Sequence, residues 1–376
     1  MKIAYILPAL THYGGAERII VEKANYMAEF FNYNVYIITL FQDQKSANCY
    51  HLFKTIKQFN LSIPYHLQYN YRYPKRLWKK IIIYNYMRKK LTKTIHTIGP
   101  DILVGVSYSK AELVSTIRCD SKKVIECHEP RAFHFNIQNR SFTHKLYAKY
   151  FYFKIIEKNA DLIVTLTNES KNQWKKAKQV EVIPNFSTMQ IKQFSTCKDK
   201  RIIAVGRLRE EKGFFRLINI WKVVSEKYSD WQLDIYGEGE LMNNLTEFIK
   251  ANNINNVTLR GRSDNISKEY ATSSICVVTS HLEGFSIVLL EALKHGLPCI
   301  AFDCPYGPRH IIEDEKCGFL IEDGNNKQFI EKLCHLIEDE QLRKKFSTAA
   351  IARAKLFDTD IIMKQWRNLF EKIAKQ

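Results

Sequence analysis

Residues 283–291 read Glu283-Gly284-Phe285-Ser286-Ile287-Val288-Leu289-Leu290-Glu291. Just before them, residues 275–279 read Ile-Cys-Val-Val-Thr, a short β-branched run that predicts a buried parallel strand. The apolar spacing from residue 286 to residue 293 is helical, and Gly296 and Pro298 end that pattern. The stretch therefore predicts a strand, a loop and a helix in succession, which is the repeating unit of a parallel α/β fold.

Two carboxylates, Glu283 in the loop and Glu291 in the helix, bracket this stretch. At helical spacing, eight residues bring Glu291 to within about 80° of Glu283 and about 12 Å along the axis. Such a pair can hold two ends of one elongated ligand, whose diphosphate would lie over the free N–H groups of residues 285–288. The alternative is a solvated Glu291 beside Lys294, but carboxylates seldom occupy so apolar a segment unless they are paired or ligand-bound.

A second motif, residues 205–213, reads Val-Gly-Arg-Leu-Arg-Glu-Glu-Lys-Gly and follows a predicted strand at 202–205. It places two cations, Arg207 and Lys212, at the end of that strand. A planar guanidinium and a compact ammonium can neutralise a diphosphate without a metal. The alternative is a turn with exposed charges, to which Glu210 and Glu211 belong.

Two more candidates follow predicted strands in the first half of the chain. Gly14-Gly15 comes after the strand at 3–7 and opens a helix, so a phosphate or sugar could approach the backbone there, although any tight turn could use the same pair. His128 comes directly after the strand at 124–127, where a histidine bonded to the backbone is the alternative to a functional one.

Together these motifs resemble the family 4 glycosyltransferases, retaining enzymes of the GT-B fold. Glu283 and Glu291 match the family's E-x7-E signature, Arg207 and Lys212 match G-R-(x4)-K, and residues 14–18 match G-G-A-E-R. Residues 296–300 and 303–308 are also similar to that family. The resemblance implies transfer of a sugar from a nucleotide donor to an acceptor hydroxyl, with retention of anomeric configuration.

The resemblance also implies a role for each site residue. Glu291 would hold the ribose hydroxyls, Glu283 with the amides of Phe285 and Ser286 would orient the donor sugar, and His128 would line the reacting face. The catalytic candidates are His128, Glu283, Arg207 and Lys212. The donor-binding candidates are Gly14, Gly15, Arg207, Lys212, Glu283, Gly284, Phe285, Ser286, Ile287 and Glu291.

The donor and the mechanism follow from the same resemblance. Phe285-Ser286 and the loop at 304–308 are similar to members that use UDP-galactose-type or UDP-N-acetylhexosamine donors, which favours UDP. No nucleophilic carboxylate is evident on the N-terminal side, so we expect a front-face mechanism in which the leaving phosphate helps deprotonate the acceptor. We expect neither a cofactor nor a metal.

Two signals for other ligands are better explained structurally. Asp358-Thr359-Asp360 has the D-x-D form of a metal-binding motif, but it stands at the head of the last predicted helix, where Asp is preferred as a cap and first-turn residue. Gly237-Glu238-Gly239 lacks the third glycine of a dinucleotide fingerprint and predicts only a turn after a strand.

Strand and helix patterns alternate along the chain and restart after a polar stretch at 187–200, which predicts two doubly wound Rossmann-like domains facing across a cleft. We expect an acceptor-binding domain at 1–185, a nucleotide-sugar-binding domain at 186–357, and a helix at 358–376 that in the GT-B family crosses back to the first domain. The remaining predicted strands lie at 35–40, 102–106, 162–166, 180–183, 233–236, 257–259 and 299–302.

The formal charge of +18 is concentrated, because residues 44–100 contain no Asp or Glu. Within that region, residues 71–90 mix basic and aromatic side chains with a helical apolar period, and residues 142–154 are similar. This favours an anionic membrane surface and a glycan or lipid-linked acceptor on the bacterial cytoplasmic face. A lysine-rich solvated face is the alternative. We expect no nucleic-acid partner, since no recognition signature accompanies the charge.

Nine cysteines without a CxxC pair indicate reduced thiols in a cytosolic protein. No apolar run reaches the roughly 18 residues that span a bilayer, so membrane contact should be peripheral. The apolar run at the N-terminus ends at Pro8 and predicts a first strand rather than a signal peptide. Two other activities stay open, a GT-B nucleotide-sugar epimerase and a basic nucleic-acid-binding protein.

Overall fold

A computed structural model describes residues 1–11, 14–42, 47–64, 72, 75–107, 109–131 and 152–376. Residues 71, 73 and 74 of the first basic-aromatic segment, and residues 142–151 of the second, lie outside this described part. The chain forms two compact units, one of residues 1–184 with 362–376 and one of residues 185–361.

The first unit is built on a parallel sheet. Within the described residues its strands are β1 (Lys2–Leu7), β2 (Asn34–Thr39), β3 (Lys57–Asn60), β4 (Ile102–Val106), β5 (Lys122–Cys127), β6 (Leu162–Thr165) and β7 (Val180–Val182), in the spatial order β3-β2-β1-β4-β5-β6-β7. The helices described between them are α1 (Gly15–Phe30), α2 (Lys75–Ile98), α3 (Ala111–Ser115), α4 (Phe153–Asn159) and α5 (Asn168–Lys171).

The second unit repeats this plan. Its strands are β8 (Arg201–Val205), β9 (Gln232–Tyr236), β10 (Val257–Gly261), β11 (Ile275–Val278), β12 (Cys299–Phe302) and β13 (Gly318–Ile321), all parallel, in the order β10-β9-β8-β11-β12-β13. Its helices are α6 (Phe214–Lys227), α7 (Met242–Ala251), α8 (Ile266–Ala271), α9 (Ile287–Lys294), α10 (Pro308–Ile311), α11 (Asn326–Glu338) and α12 (Glu340–Ala354), with 3-10 turns at Glu210–Lys212 and Lys355–Phe357.

The final helix, α13 (Thr359–Ala374), returns the chain to the first unit. From Ile362 onward its residues belong to that unit. Trp366 lies against Lys23 of α1, and Glu371 accepts a hydrogen bond of 3.0 Å from Tyr33. The first unit is therefore made from two separate parts of the sequence.

Helical spacing of apolar residues explains how the helices pack on the sheets. In α2, Met87, Leu91 and Ile95 are spaced four residues apart and join Ile6 and Ile125 of the sheet in one buried cluster. The second unit has its own cluster in the same arrangement, with α6 and α11 against the strands. The predicted α/β class with two doubly wound parallel sheets is confirmed.

The structure adds two strands that the sequence patterns did not predict, β3 and β13. The predicted strands otherwise appear within about two residues of their expected bounds. In the described residues, no helix combines the length and apolar character needed to cross a bilayer.

Candidate functional site

The order of strands reverses between β8 and β11 in the second unit. Ligands of doubly wound sheets bind beyond the carboxyl ends of the strands at such a point. The loop after β8 carries Arg207 and Lys212, and the loop after β11 carries Glu283. The topology thus brings two motifs more than 60 residues apart to one edge of the sheet.

Glu283 is the centre of this edge. Its buried carboxylate oxygen Oε1 accepts hydrogen bonds from Lys212 Nζ at 2.8 Å and from Ser280 Oγ at 2.7 Å. Two predicted site residues from different motifs are therefore in direct contact. The sequence did not single out Ser280, which fixes the same oxygen.

Two glycines permit the close approach of the loops. Gly213 has φ +65°, and a Cβ there would lie 2.1 Å from the carbonyl oxygen of Thr279. A Cβ on Gly307 would lie 2.5 Å from the Cβ of Glu283. Larger residues at either position would force the loops apart, so these glycines help to place Lys212 and Glu283.

Glu291 lies on α9 and is buried, so the solvated alternative is wrong. The hydroxyl of the buried Tyr270 lies 3.5 Å from its Oε2, within reach of a long hydrogen bond. Lys294, the neighbour named in that alternative, donates a hydrogen bond of 2.6 Å to the carbonyl of Ser187. A carboxylate buried on a helix needs a polar partner or a ligand to offset its lost hydration.

Helix α9 begins later than the sequence pattern predicts. The helix begins at Ile287, so Glu283 lies four residues outside it and the separations of 80° and 12 Å do not apply. Ser286 is the N-cap residue and makes no side-chain capping hydrogen bond, while Phe285 packs edge-on against Phe357. The first backbone N–H groups of α9 have no intrahelical partner, as at any helix start.

The remaining loop residues have different surroundings. Arg207 is exposed just beyond β8, while Gly284 and Ile287 are partly buried. The carbonyl of Arg207 accepts a hydrogen bond of 2.8 Å from the amide of Arg209, which tightens the turn that presents its side chain.

In the first unit, Gly14 is buried at the N-cap of α1 and Gly15 is exposed. The amide of Gly14 donates to the Tyr50 hydroxyl at 2.6 Å, and this hydroxyl donates to the carbonyl of Gly14 at 2.8 Å. Burial raises the pKa of Tyr50. The turn that the sequence predicted is thus held by a tyrosine that the motif did not indicate.

His128 follows β5, as predicted, but its partner is a carboxylate rather than the backbone. Its Nε2 lies 3.3 Å from Oε2 of Glu126, which also forms a buried ion pair with Lys23 of α1. Burial opposes ionisation of Glu126, but the charge of Lys23 and the hydrogen bond from His128 outweigh it and hold the pKa of this carboxyl below its ordinary value.

Sequence reasoning missed both Glu126 and Lys23. A signal for each was present, because Glu126 interrupts the apolar strand Val-Ile-Glu-Cys at 124–127 and Lys23 lies on the apolar face of α1. Charged residues at such positions are rarely buried unless they are paired.

The positions expected for the two ligand-like motifs are confirmed. Asp358 directly precedes α13 and Asp360 lies in its first turn. Gly237-Glu238-Gly239 forms the loop after β9.

Two family models match the chain. The family model "Glycosyltransferase Family 4" matches residues 13–187, and "Glycosyl transferases group 1" matches residues 186–353. An uncharacterized glycosyltransferase of Haemophilus influenzae is 28% identical over 98% of this chain and 99% of its own. The amylovoran biosynthesis glycosyltransferase AmsD of Erwinia amylovora is 36% identical over 56% of this chain and 62% of its own.

Among solved structures, a TarM mutant of S. aureus, crystallised with fondaparinux, alpha-GlcNAc-glycerol and UDP, matches with a TM-score of 0.79. It is 17% identical over 98% of this chain and 99% of its own. At that identity the likeness establishes the fold, and the predicted GT-B class is confirmed.

Proposed function

Because the chain belongs to glycosyltransferase family 4, we propose that it is a retaining, metal-independent hexosyltransferase. It moves a hexose or N-acetylhexosamine from a UDP-sugar to a hydroxyl of a membrane-associated glycan or lipid-linked acceptor, in bacterial polysaccharide or lipopolysaccharide biosynthesis. The observation that carries this proposal is the contact between Lys212 and Glu283 at the strand reversal of the second unit. The name of the AmsD relative supports a polysaccharide product.

Different residues at this edge of the sheet bind different parts of the nucleotide-sugar donor. Arg207 and Lys212 bind the diphosphate, Glu291 holds the ribose hydroxyls, and Glu283 orients the sugar together with the amides of Phe285 and Ser286. Each charge-assisted hydrogen bond contributes roughly 1.5–3 kcal/mol, so the two cations stabilise the leaving group without a divalent metal. The burial of Glu291 and the fixed carboxylate of Glu283 support these roles.

Transfer proceeds at the front face of the sugar. The bond between the anomeric carbon and the phosphate oxygen breaks as the acceptor oxygen bonds to that carbon from the same side. The acceptor proton passes to the departing phosphate, and UDP leaves. Glu126, a carboxylate beside His128, is an unsuitable nucleophile because it is buried in an ion pair with Lys23. A trapped glycosyl-enzyme adduct would contradict this mechanism.

The first two thirds of α2 support a location at the membrane surface. Residues 75–90 carry seven Lys or Arg residues and no acidic residue. Trp78 and Ile82 are 68% and 57% exposed, and Leu77, Ile81 and Tyr86 are also exposed. A helix that shows both apolar and basic side chains to solvent fits an anionic lipid interface.

The donor site is tested by thermal unfolding with UDP, GDP, ADP and several UDP-sugars, each with and without EDTA. Ligand at 100 times its dissociation constant should stabilise the protein by about 2.7 kcal/mol. We expect a UDP-selective, EDTA-insensitive shift that Glu291→Ala abolishes and Glu247→Ala, at an exposed position of α7, preserves. No shift with any nucleotide would overturn the donor site and favour nucleic-acid or lipid binding. Isomerisation of a free UDP-sugar without acceptor would favour the epimerase.

Membrane binding is tested by sedimentation with anionic and neutral liposomes. Burial of one large apolar side chain contributes about 1.5–3 kcal/mol, so Trp78→Ser should weaken binding to anionic liposomes by about tenfold or more. Val223→Ser, at an exposed apolar position of the second unit, is the matched control and should bind as the unaltered protein does. Equal lack of binding to both lipids would refute a membrane site.

A further inference from the structure

A chain of buried polar contacts runs behind His128 in the first unit. Lys23 on α1 pairs with Glu126 on β5, and Glu126 contacts Nε2 of His128. The three side chains are 1%, 3% and 6% exposed, respectively. The ammonium of Lys23 also lies 3.6 Å from the ring centre of Trp366 and 5.3 Å from that of Tyr5.

The buried ion pair between Lys23 and Glu126 is not explained by its effect on the stability of the fold. Replacing a buried ion pair by apolar residues of similar volume is often neutral or stabilising, because both charges lose their hydration. Glu126 lies at a position of β5 from which its carboxylate contacts the histidine that follows the strand. A role in orienting His128 would explain why a charged pair is buried at this position.

The chemistry of Glu126 determines where His128 carries its proton. An ionised carboxylate can only accept hydrogen bonds, so Nε2 must be the protonated nitrogen. The other nitrogen, Nδ1, is buried and has no hydrogen-bond partner in the part of the chain that the structure describes. In the neutral ring Nδ1 is therefore an acceptor whose hydrogen bond is left unmade within the described residues.

We propose that Glu126, balanced by Lys23, is a positioning residue that holds His128 in its Nε2–H form, so that Nδ1 accepts a hydrogen bond from a hydroxyl of the transferred sugar. This inference rests on the proposed function. Lys23 neutralises the carboxylate, and the rings of Trp366 and Tyr5 hold the ammonium in place. Glu126 touches neither sugar nor nucleotide in this scheme and acts only through the imidazole.

The protonation form of His128 can be read by nitrogen NMR of the full chain with labelled histidine, with His128→Gln used to assign the signal. We expect Nε2 to carry the proton in the unaltered protein. The double variant Lys23→Met, Glu126→Leu removes both charges and the acceptor, and should give a mixture of the two neutral forms. Lys23→Met, Glu126→Gln removes the same charges but keeps a side-chain carbonyl, and should retain mainly the Nε2–H form.

Transfer kinetics supply the second measurement. The Leu double variant should lose about twofold to tenfold in kcat, the effect of one hydrogen bond between neutral groups, with little change in the KM of the nucleotide sugar. The Gln double variant should lie closer to the unaltered enzyme. Proton location on Nδ1 in the unaltered protein would overturn the inference, and this measurement does not depend on whether the two double variants fold.

UDP titration separates failure of this inference from failure of the proposed function. If the unaltered protein does not bind UDP, the donor site is wrong and the role for a transferred sugar falls with it. If UDP binds and sugar is transferred, but the folded Leu double variant keeps its kcat, the positioning role alone is refuted.

Discussion

Replacing Glu283 by Gln should separate the binding of the nucleotide from the binding of the sugar. At 2.8 Å from Lys212 Nζ and an effective dielectric near 20, the carboxylate is attracted by about 6 kcal/mol before desolvation is counted. The side chains of Lys212 and Glu283 are 27% and 8% exposed, so desolvation offsets much of this attraction. We expect Glu283→Gln to lower the free energy of unfolding by about 1.5–3 kcal/mol, the range for hydrogen bonds to charged groups.

The effect on ligands should differ from the effect on stability. In the proposed site, Lys212 is shared between Glu283 and the diphosphate. Without the carboxylate, Lys212 binds the diphosphate alone, so UDP should bind as well as before or up to about tenfold more tightly. The donor sugar loses a charge-assisted hydrogen bond, so kcat/KM for transfer should fall about tenfold to hundredfold.

Calorimetric titration with UDP, transfer kinetics and urea unfolding measure these three quantities. Ser280→Ala is the matched control, because it removes the second hydrogen bond to Oε1 and keeps the charge. It should cost about 1 kcal/mol of stability and change UDP affinity little. If Glu283→Gln weakens UDP binding and kcat/KM by the same factor, Glu283 does not act on the sugar and the reasoning fails.

Further predictions concern the free energy of unfolding and can be checked by urea unfolding. Gly213→Ala should lower it by about 2 kcal/mol or more, because residue 213 has φ +65° and the new Cβ would clash with a carbonyl oxygen. Gly324→Ala, with φ +89° and nothing within 4 Å, should lower it by only about 1 kcal/mol, and equal losses would argue against the clash. The pKa of Glu126 is lowered in the fold, so its ionised carboxylate stabilises the folded protein. This stabilisation is complete above the ordinary pKa of 4.5 and is lost as the pH falls below that value. Lys23→Met, Glu126→Gln should therefore flatten the acid side of the stability profile, and an unchanged slope would assign that loss to other groups. Arg343→Met should cost about 3 kcal/mol, because the buried guanidinium donates to three backbone carbonyls that would lose these bonds; a loss below about 1 kcal/mol would show that water replaces them.

The sequence predicted most strands because central strands of a parallel sheet are apolar on both faces. It missed β3, whose residues Lys57–Asn60 read Lys-Gln-Phe-Asn and pair on one side only, with β2. It missed β13 as well, where Gly318 opens a run of only four residues. The residues of β3 are exposed or half-buried, so its apolar pattern is weak, whereas the residues of β13 are mostly buried and its run is too short to predict a strand.

The sequence predicted which residues belong to the candidate site, but it did not predict which of them contact each other. Motif spacing singled out Lys212 and Glu283, yet the two are 71 positions apart and their pairing depends on which strands are neighbours. Lys23 and Glu126 are 103 positions apart, and no motif joins them. A charge inside an apolar segment signals that a partner exists, but only the folded sheet shows which residue it is.

The divided first unit has a consequence for synthesis of the chain. Residues 185–361, a stretch of 177 residues, leave the ribosome before the part of α13 that the first unit needs. At about 5–20 residues per second, this interval lasts roughly 10–35 s. Until Trp366 emerges, the ammonium of Lys23 lacks the nearer of the two aromatic rings that contact it in the finished fold. The half of the protein that is translated first is therefore completed last, and a nascent chain that stalls near its end would expose this interior to chaperones and proteases.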